Sequence, residues 1–416
     1  MALSNIKYSI ILPARNGGKY IASCVDSIIS QDYGDYELII SDDHSTDSTP
    51  EYLKTLSNPH IKVVHPPAGL SMAEHWEWAL NGASGEWLIF VGQDDGLQPY
   101  FFELAERLTD LAERKNVRTI MSERAYYFWP GCSEYYGDTA VSYRATCDFK
   151  ILDWRYQSFK ALLGFQNYFE LPEMYTTSIF KRSIIEEAKK KQNGKLFVAH
   201  PQDASLAAIG MSLDKKYLKS GIPLGWVGSS PKSAGLAVVA GKPEKGGEDA
   251  LENVRSDYLQ KISKSRILTH VSAGDFTIGS TILYYWGALL QTQPLRNAGL
   301  NEFLLSPLFK KFLFGAAYLE LKNYKNNRDR ARLDLFNDVL DMNKFSLPEI
   351  KIYSAIIYII HKAGRLCGIL FRNRFKKRVS YKACWDGSPG INLEKASSEV
   401  NRLLKRKHLF DRMFVD

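Results

Sequence analysis

Residues 85–99 read GEWLIFVGQDDGLQP. Trp87, Leu88, Ile89, Phe90 and Val91 form an apolar run of strand length, which predicts a strand buried on both faces. It ends at Gly92 and delivers two adjacent carboxylates, Asp94 and Asp95, to the strand's carboxyl end. Residues 36–43, YELIISDD, repeat the arrangement with Asp42 and Asp43. Two strand ends, each topped by an Asp pair, point to one crevice at the rim of a parallel sheet, where open α/β folds bind ligands. Paired carboxylates suit a hard divalent cation shared with a diphosphate better than zinc. Such pairs also start turns and cap helices, so neither decides the matter alone.

The rest of the N-terminal part supports this reading. A first strand is expected over 6–12, closed by Pro13-Ala14-Arg15-Asn16-Gly17-Gly18. A helix over 20–31 puts Ile21, Cys24, Val25, Ile28 and Ile29 on one face. A strand over 36–41, a helix over 50–56 begun by Pro50, a strand over 61–65 and a helix over 71–81 follow. Strands alternating with helices predict βαβ units, and so an α/β fold with a mostly parallel sheet flanked by helices. Beyond it come a helix over 101–113, a strand over 119–128 and an aromatic-rich, less regular stretch over 131–171. A strand over 174–180 and a helix over 183–191 are next. His200-Pro201-Gln202-Asp203 opens a small-residue helix over 204–210, residues 217–227 return toward the core, and 228–235 is loop. GKPEKGGE at 241–248 marks a boundary. Helices are expected afterwards over 250–271, 277–291, 309–323, 328–342 and 348–372. The chain therefore divides into a domain over 1–240 and a mainly α-helical, basic domain over 241–416 that contacts acceptor, membrane or a second copy.

Composition narrows the class. The 416 residues are 45% hydrophobic and 24% charged, as in an ordinary globular protein. Five dispersed cysteines without a CxxC pair argue against a disulfide framework or a zinc site and for a reducing compartment. The short apolar run near the start reads as a strand, not a signal peptide. No apolar stretch reaches the ~18 residues of a membrane-spanning helix. From Arg296 onward there are 24 Lys+Arg against 12 Asp+Glu, whereas the preceding residues hold 30 against 34. That asymmetry suits an anionic surface. Residues 350–371 are apolar but interrupted by Lys351, His361, Lys362 and Arg365, and Arg372, Arg374, Lys376, Lys377 and Arg378 follow. Such a helix either lies in a membrane interface or covers the core of the helical domain. The expectation is a cytoplasmic protein, peripheral on the inner face of the cytoplasmic membrane.

With these residues laid out, positions 5–235 resemble family 2 glycosyltransferases of the GT-A fold, in particular those of bacterial surface-polysaccharide synthesis. Ser9 to Asn16 is similar to that family's opening strand and Pro-x-x-Asn turn. Residues 36–49, YELIISDDHSTDST, resemble its strand followed by Asp-Asp-x-Ser-x-Asp, and residues 83–95 its approach to an Asp-x-Asp metal motif. The resemblance implies that Pro13, Ala14, Arg15 and Asn16 line a nucleotide pocket and that Asp43, with Asp42, bonds the base, uracil in many members. Asp94 and Asp95 would hold Mn²⁺ or Mg²⁺, with Asp94 also reaching the nucleotide. Inverting members carry a carboxylate base at a helix start about a hundred residues further on. Gln202-Asp203 occupies that position, which makes Asp203 the base, although an aspartate there also suits a helix cap. His200, Gln202, Lys232 and Ser233 are expected at the diphosphate or the acceptor. The chain departs from the family pattern in three places. Gly92 replaces the first Asp of Asp-x-Asp, Glu74-His75-Trp76-Glu77 stands where an arginine is common, and Gln202 replaces a Glu.

The implied reaction moves a sugar from a nucleoside diphosphate, UDP favoured, to a hydroxyl of a saccharide or lipid-linked acceptor. Rival readings are a non-catalytic sugar-nucleotide or glycan-binding protein on the same fold and a sugar-nucleotide nucleotidyltransferase. A dinucleotide fold lacks its G-x-G-x-x-G after the first strand, and no G-x-x-x-x-G-K-[ST] is present. A nucleic-acid partner leaves the acidic motifs unexplained.

Overall fold

The computed structural model describes residues 6–132, 137–198, 201–233, 280–297, 299–322, 329–370, 378–385, 392–408 and 413. The N-terminal elements alternate as expected. Strands β1 (Tyr8–Ala14), β2 (Tyr36–Asp42), β3 (Ile61–Val64) and β4 (Trp87–Phe90) are separated by helices α1 (Ile21–Ile29), α2 (Thr49–Thr55) and α3 (Met72–Asn81). Ser71 opens α3 with a capping box, its hydroxyl accepting from Glu74 N–H while Glu74 reaches back to the Ser71 N–H. Strand β5 (Gly96–Leu97) and helix α4 (Phe101–Arg114) follow.

These strands and those named below form two sheets. The first has eight strands in the order β3-β2-β1-β4-β10-β6-β11-β9, using β6 (Thr119–Ser122), β9 (Phe149–Asp153), β10 (Ser178–Lys181) and β11 (Lys216–Ser220). β1 runs parallel to β2 and β4, and β2 to β3. β10 is antiparallel to both β4 and β6, so those two point the same way, and β11 is parallel to β6. The carboxyl ends of β1, β2, β4, β6 and β11 therefore share one rim. The second sheet has the order β13-β8-β7-β12-β5, with β7 (Ala125–Phe128), β8 (Thr139–Thr146), β12 (Gly225–Ser229) and β13 (Arg378–Cys384).

Side chains alternate across the first sheet as the strand period requires. Ile10, Leu12, Leu38, Ile40 and Ile89 pack with α1 and α4, while Ile11, Leu88, Phe90 and Phe180 face Ala79 and Leu80 of α3 and Ile184 of helix Arg182–Lys191. Glu37 ties the strand starts together. It accepts from Ser9 Oγ (2.6 Å), Ser84 N (2.6 Å) and Lys62 Nζ (2.5 Å). Burial alone would raise this carboxyl, but the bonds from Lys62, Ser9 and Ser84 outweigh it and hold the group at about 2.

Helix Gln202–Leu213 is buried on nearly all sides, which accounts for its Ala, Ser and Gly content. Leu206 and Ile209 face the sheet's core, and Ala204, Ala207, Ala208 and Met211 face a further core. That core holds Trp154 of helix Trp154–Leu162 and the helical part of the chain, with Leu283, Tyr285, Trp286, Leu313 and Phe314. The helices expected over 277–291, 309–323, 328–342 and 348–372 stand at Thr281–Gln291, Pro307–Lys322, Asp329–Met342 and Leu347–Leu370. Among the described residues no helix is long and apolar enough to cross a membrane.

Four differences from the sequence reading have physical causes. The strand expected over 119–128 is two strands in different sheets. The chain turns at Glu123-Arg124, where Glu123 N–H bonds Ser220 O (3.0 Å) and the Arg124 side chain is buried. The stretch over 131–171 contains β8, whose Val141, Tyr143 and Ala145 alternate inward, and β9. Helix Gln202–Leu213 starts earlier than expected, with Pro201 as its N-cap, so Asp203 lies inside the first turn. The expected helical domain over 241–416 also returns its last elements to the first core. β13 pairs with β8, and Leu393, Ala396, Val400 and Leu404 of helix Leu393–Lys407 pack against α1 and its neighbours. The boundary at 241–248, the helix over 250–271 and the basic residues Arg372, Arg374, Lys376 and Lys377 lie outside the described residues.

Candidate active site

At the carboxyl ends of β1, β2 and β4 the rim opens into a cavity of about 380 Å³. Its walls bring together Pro13, Ala14, Arg15, Asn16, Asp43, Asp94, Lys232 and Ser233, eight of the residues singled out from sequence. Asp43 is 6% exposed, its N–H bonds Ala14 O (2.9 Å), and its Oδ2 takes the Arg15 guanidinium at 3.0 Å. Asn16 adopts φ 53, a left-handed conformation that asparagine tolerates. Its Oδ1 accepts Thr46 N–H (2.8 Å) and its N–H reaches Ser45 Oγ (2.8 Å), which stitches the β1 turn to the β2 turn. Lys232 donates to Asn16 O (3.0 Å) and stands 3.8 Å from Asp47. Asp42 is buried and turned from the cavity. Its Oδ1 accepts Ser45 N–H (3.3 Å).

The two aspartates after β4 have different surroundings. Asp94 lines the cavity, its Oδ2 accepting the Ser230 hydroxyl at 2.7 Å and the Ser233 hydroxyl. Asp95 is 1% exposed and sits behind it, with both oxygens engaged by Gly92 N–H (2.9 Å), Gly228 N–H (2.6 Å) and the Thr176 hydroxyl. Burial first and the Asp94 charge second push Asp95 up to about 7, and burial raises Asp94 as well. A carboxylate pair held in this state favours a nearby cation, and Asp94 is the member that faces the cavity. Gly92 is required where it stands. A Cβ there would lie 2.1 Å from Tyr175 Oη, so no aspartate fits at that position with Tyr175 in place.

Asp203 does not line the cavity. Its two carboxylate oxygens each accept from Tyr168 Oη at 3.1 Å, and Oδ1 also accepts Ala204 N–H at 2.8 Å. Burial raises this carboxyl, opposed by those bonds and by the charge of Arg124. Arg124 pairs with Glu173 and donates to Phe169 O (3.0 Å). Burial pushes Glu173 up to about 8, with Arg124 opposing and Asp203 adding to the rise. Gln202 is buried beside Asp203, and His200 lies outside the described residues.

Sequence reasoning missed the residues that join the two halves of the site. The loop after Leu171 places Glu173 beside Arg124, Tyr175 in the cavity wall and Thr176 on Asp95. Trp76 stacks on Tyr175 (5.5 Å, 13°) and on Phe90 (4.6 Å, 26°), and both Trp76 and His75 line the cavity. His75 Nε2 lies 2.8 Å from Ser41 Oγ, and burial lowers its pKa. Met174-Tyr175-Thr176 carries no periodic signal for such a role. In the sequence Trp76 stands out only as part of Glu74-His75-Trp76-Glu77, the stretch without the arginine common in the resembled family.

Comparison with known proteins gives concordant findings. Residues 9–188 match the family model described as Glycosyl transferase family 2. Glycosyltransferase GlyA of Streptococcus pneumoniae serotype 4 is 32% identical over 130 residues, which is 29% of this chain and 18% of that protein. Chondroitin synthase of Pasteurella multocida is 37% identical over 98 residues, 23% of this chain and 10% of that one. The chain thus spans a minor part of the length of these curated relatives. Among solved structures, residues 1–349 of Staphylococcus aureus TarS align over 81% of this chain and 91% of that one, at 15% identity and a TM-score of 0.43. A mannosyltransferase of Pyrobaculum calidifontis, solved with GDP-Man and Mn²⁺, aligns over 89% of both chains at 15% identity and a TM-score of 0.40.

Proposed function

Residues 9–188 are a family 2 glycosyltransferase domain, and from that premise we propose that the chain transfers a sugar from a nucleoside-diphosphate donor to a hydroxyl of a saccharide or lipid-linked acceptor in surface-polysaccharide synthesis. The favoured donor is a UDP-sugar and the favoured outcome inversion at the sugar carbon. One observation carries the reading. A single cavity at the carboxyl rim gathers the β1 turn, Asp43, Asp94 and Lys232 from four separate stretches of sequence.

In this reading Pro13 to Asn16 and Asp43 hold the nucleoside, and Lys232 faces the diphosphate. Asp94 is the carboxylate that takes Mn²⁺ or Mg²⁺, in keeping with the habit of such ions to use one or two carboxylates and complete their shell with phosphate oxygens. The bound cation supplies Lewis-acid stabilisation of charge on the leaving diphosphate. Asp95, with both oxygens already bonded, holds the turn that presents Asp94. Asp203 accepts the proton of the acceptor hydroxyl as the new glycosidic bond forms. Burial favours that role because it brings the carboxylate's basicity closer to neutrality. Tyr168 orients it through both oxygens, and the Arg124–Glu173 pair braces the same corner.

The helical part is assigned to an anionic bilayer. Helix Leu347–Leu370 buries Ile350, Ser354 and Ile357, yet Ile352, Ile356, Ile359 and Ile360 form a second, exposed stripe at helical spacing. Ile352 is 62% exposed and Ile359 65%. Four cations, Arg372, Arg374, Lys376 and Lys377, follow in sequence and supply the complement to acidic headgroups.

The test is to incubate the chain with a panel of UDP- and GDP-sugars and measure nucleotide release, with Asp203→Asn alongside. The reading expects release from one donor class and retained donor binding without turnover in Asp203→Asn. Loss of binding in that variant would make Asp203 a structural residue.

A further inference from the structure

The carboxyl rim continues past the donor cavity. Further along the sheet, the ends of β6 and β11 and the start of β9 enclose a second cavity of about 370 Å³. Lys150, Lys160, Lys219 and Arg378 line it together with Glu123, Asp148 and Glu170. The carboxylates are already matched. Lys219 stands 3.3 Å from both Glu123 and Glu170, and Lys150 is 3.9 Å from Asp148. Four cations against three carboxylates leave the lining one positive charge in excess, and Lys160 and Arg378 stand outside these pairs. Among the described residues neither Lys160 nor Arg378 has an ion-pair partner, and Lys160 Nζ bonds only the neutral Gln157 amide (3.1 Å).

Tyr217 is 0% exposed and belongs to the lining of this cavity, and its hydroxyl has no hydrogen-bond partner among the described residues. Burial first and the Lys219 charge second lower the Lys160 pKa, with Glu170 opposing.

The cavity is joined to the base by one short element. In the 3₁₀ turn Tyr168–Glu170, Tyr168 bonds Asp203 while Glu170 lines the second cavity. One turn thus touches both Asp203 and the wall of the second cavity. Resting on the transferase reading above, we infer that this cavity binds an anionic substituent, a carboxylate or a phosphodiester, on the acceptor glycan. Arg378 comes from β13, opposite Thr146 of β8, so β13 supplies one of the two cations outside the ion pairs.

The experiment is calorimetric titration of the full chain with three probes at low and high salt. They are a tetrasaccharide of alternating glucuronate and N-acetylglucosamine, a glycerol-phosphate tetramer and neutral maltotetraose. The inference expects salt-sensitive binding of one or both acidic probes and weaker binding of maltotetraose. Binding of one acidic probe alone identifies its anion. Lys160→Gln and Arg378→Gln should each weaken the acidic probe by about tenfold, Lys160→Arg should restore it, and UDP titration should be unchanged in all three. Equal binding of the neutral probe, no binding of any probe, or no effect of either substitution overturns the inference. If the acidic probe binds through Lys160 and Arg378 while no nucleotide binds at all, the anion site stands and the transferase reading falls.

Discussion

Gly228→Ala tests how the carboxylate turn is held. Gly228 sits in β12, directly under the turn after β4, and a Cβ there would lie 1.7 Å from Asp94 O, 2.4 Å from Asp94 C and 3.0 Å from Asp95 N. All three are backbone atoms, so no side-chain rotation relieves the clash. Reaching ordinary carbon contact requires the turn to move by roughly 2 Å. That movement breaks the Gly228 N–H bond to Asp95 Oδ1 (2.6 Å) and the Trp129 Nε1–H bond to Asp94 O (2.7 Å). A bond to a charged group contributes about 1.5–3 kcal/mol and a neutral one about 0.5–1.5 kcal/mol, so the expected loss is about 2–4.5 kcal/mol. The chain stays folded on that scale, but Asp94 leaves its place beside Ser230 and Ser233. A displacement of that size costs on the order of 100-fold where geometry is critical. The assay pairs urea denaturation with UDP titration, using Gly34→Ala as control because a Cβ at Gly34 meets nothing within 4 Å. A Gly228→Ala protein with the stability of the control and unimpaired UDP binding would refute the argument.

Three further outcomes are expected. The Glu37 carboxyl, held at about 2 in the folded chain, contributes stability that is present above the ordinary glutamate range and is lost as pH falls from about 4.5 toward 2. Glu37→Gln should therefore lower stability at pH 7 by about 3 kcal/mol and flatten the acid limb between those values, measured by urea unfolding across pH. Tyr168→Phe removes a bond that lowers the Asp203 pKa, so the acid limb of kcat/KM against pH should move upward, and an unmoved limb would separate Tyr168 from the base. Ile352→Asp with Ile359→Asp should abolish co-sedimentation with anionic vesicles without changing UDP affinity, and undiminished co-sedimentation would take the exposed stripe out of the membrane account.

What was legible in the sequence depended on period and on chain neighbours. The βαβ alternation through β4 showed because β1, β2 and β4 are buried and mostly apolar while α1 carries a one-sided stripe; β3 is half-exposed. The turn residues Pro13 to Asn16, Asp43 and Asp94 showed because strand ends fix where they stand. The roles of Asp94 and Asp95 did not separate in sequence, since their difference comes from Gly228 and Thr176, far along the chain. The break at Arg124 depends on Glu173, and the partner of Asp203 is Tyr168, which lies in a stretch without periodicity. The return of β13 to β8 is likewise a long-range pairing that a local pattern does not contain.

The most direct test of the central claim is calorimetric titration of UDP, with GDP as control, in Mn²⁺ and then in EDTA, on the natural chain and on Asp94→Asn. The account predicts tight UDP binding that requires the cation and is lost in Asp94→Asn, with GDP weaker. Binding of neither nucleotide, or binding indifferent to both EDTA and Asp94→Asn, would contradict it.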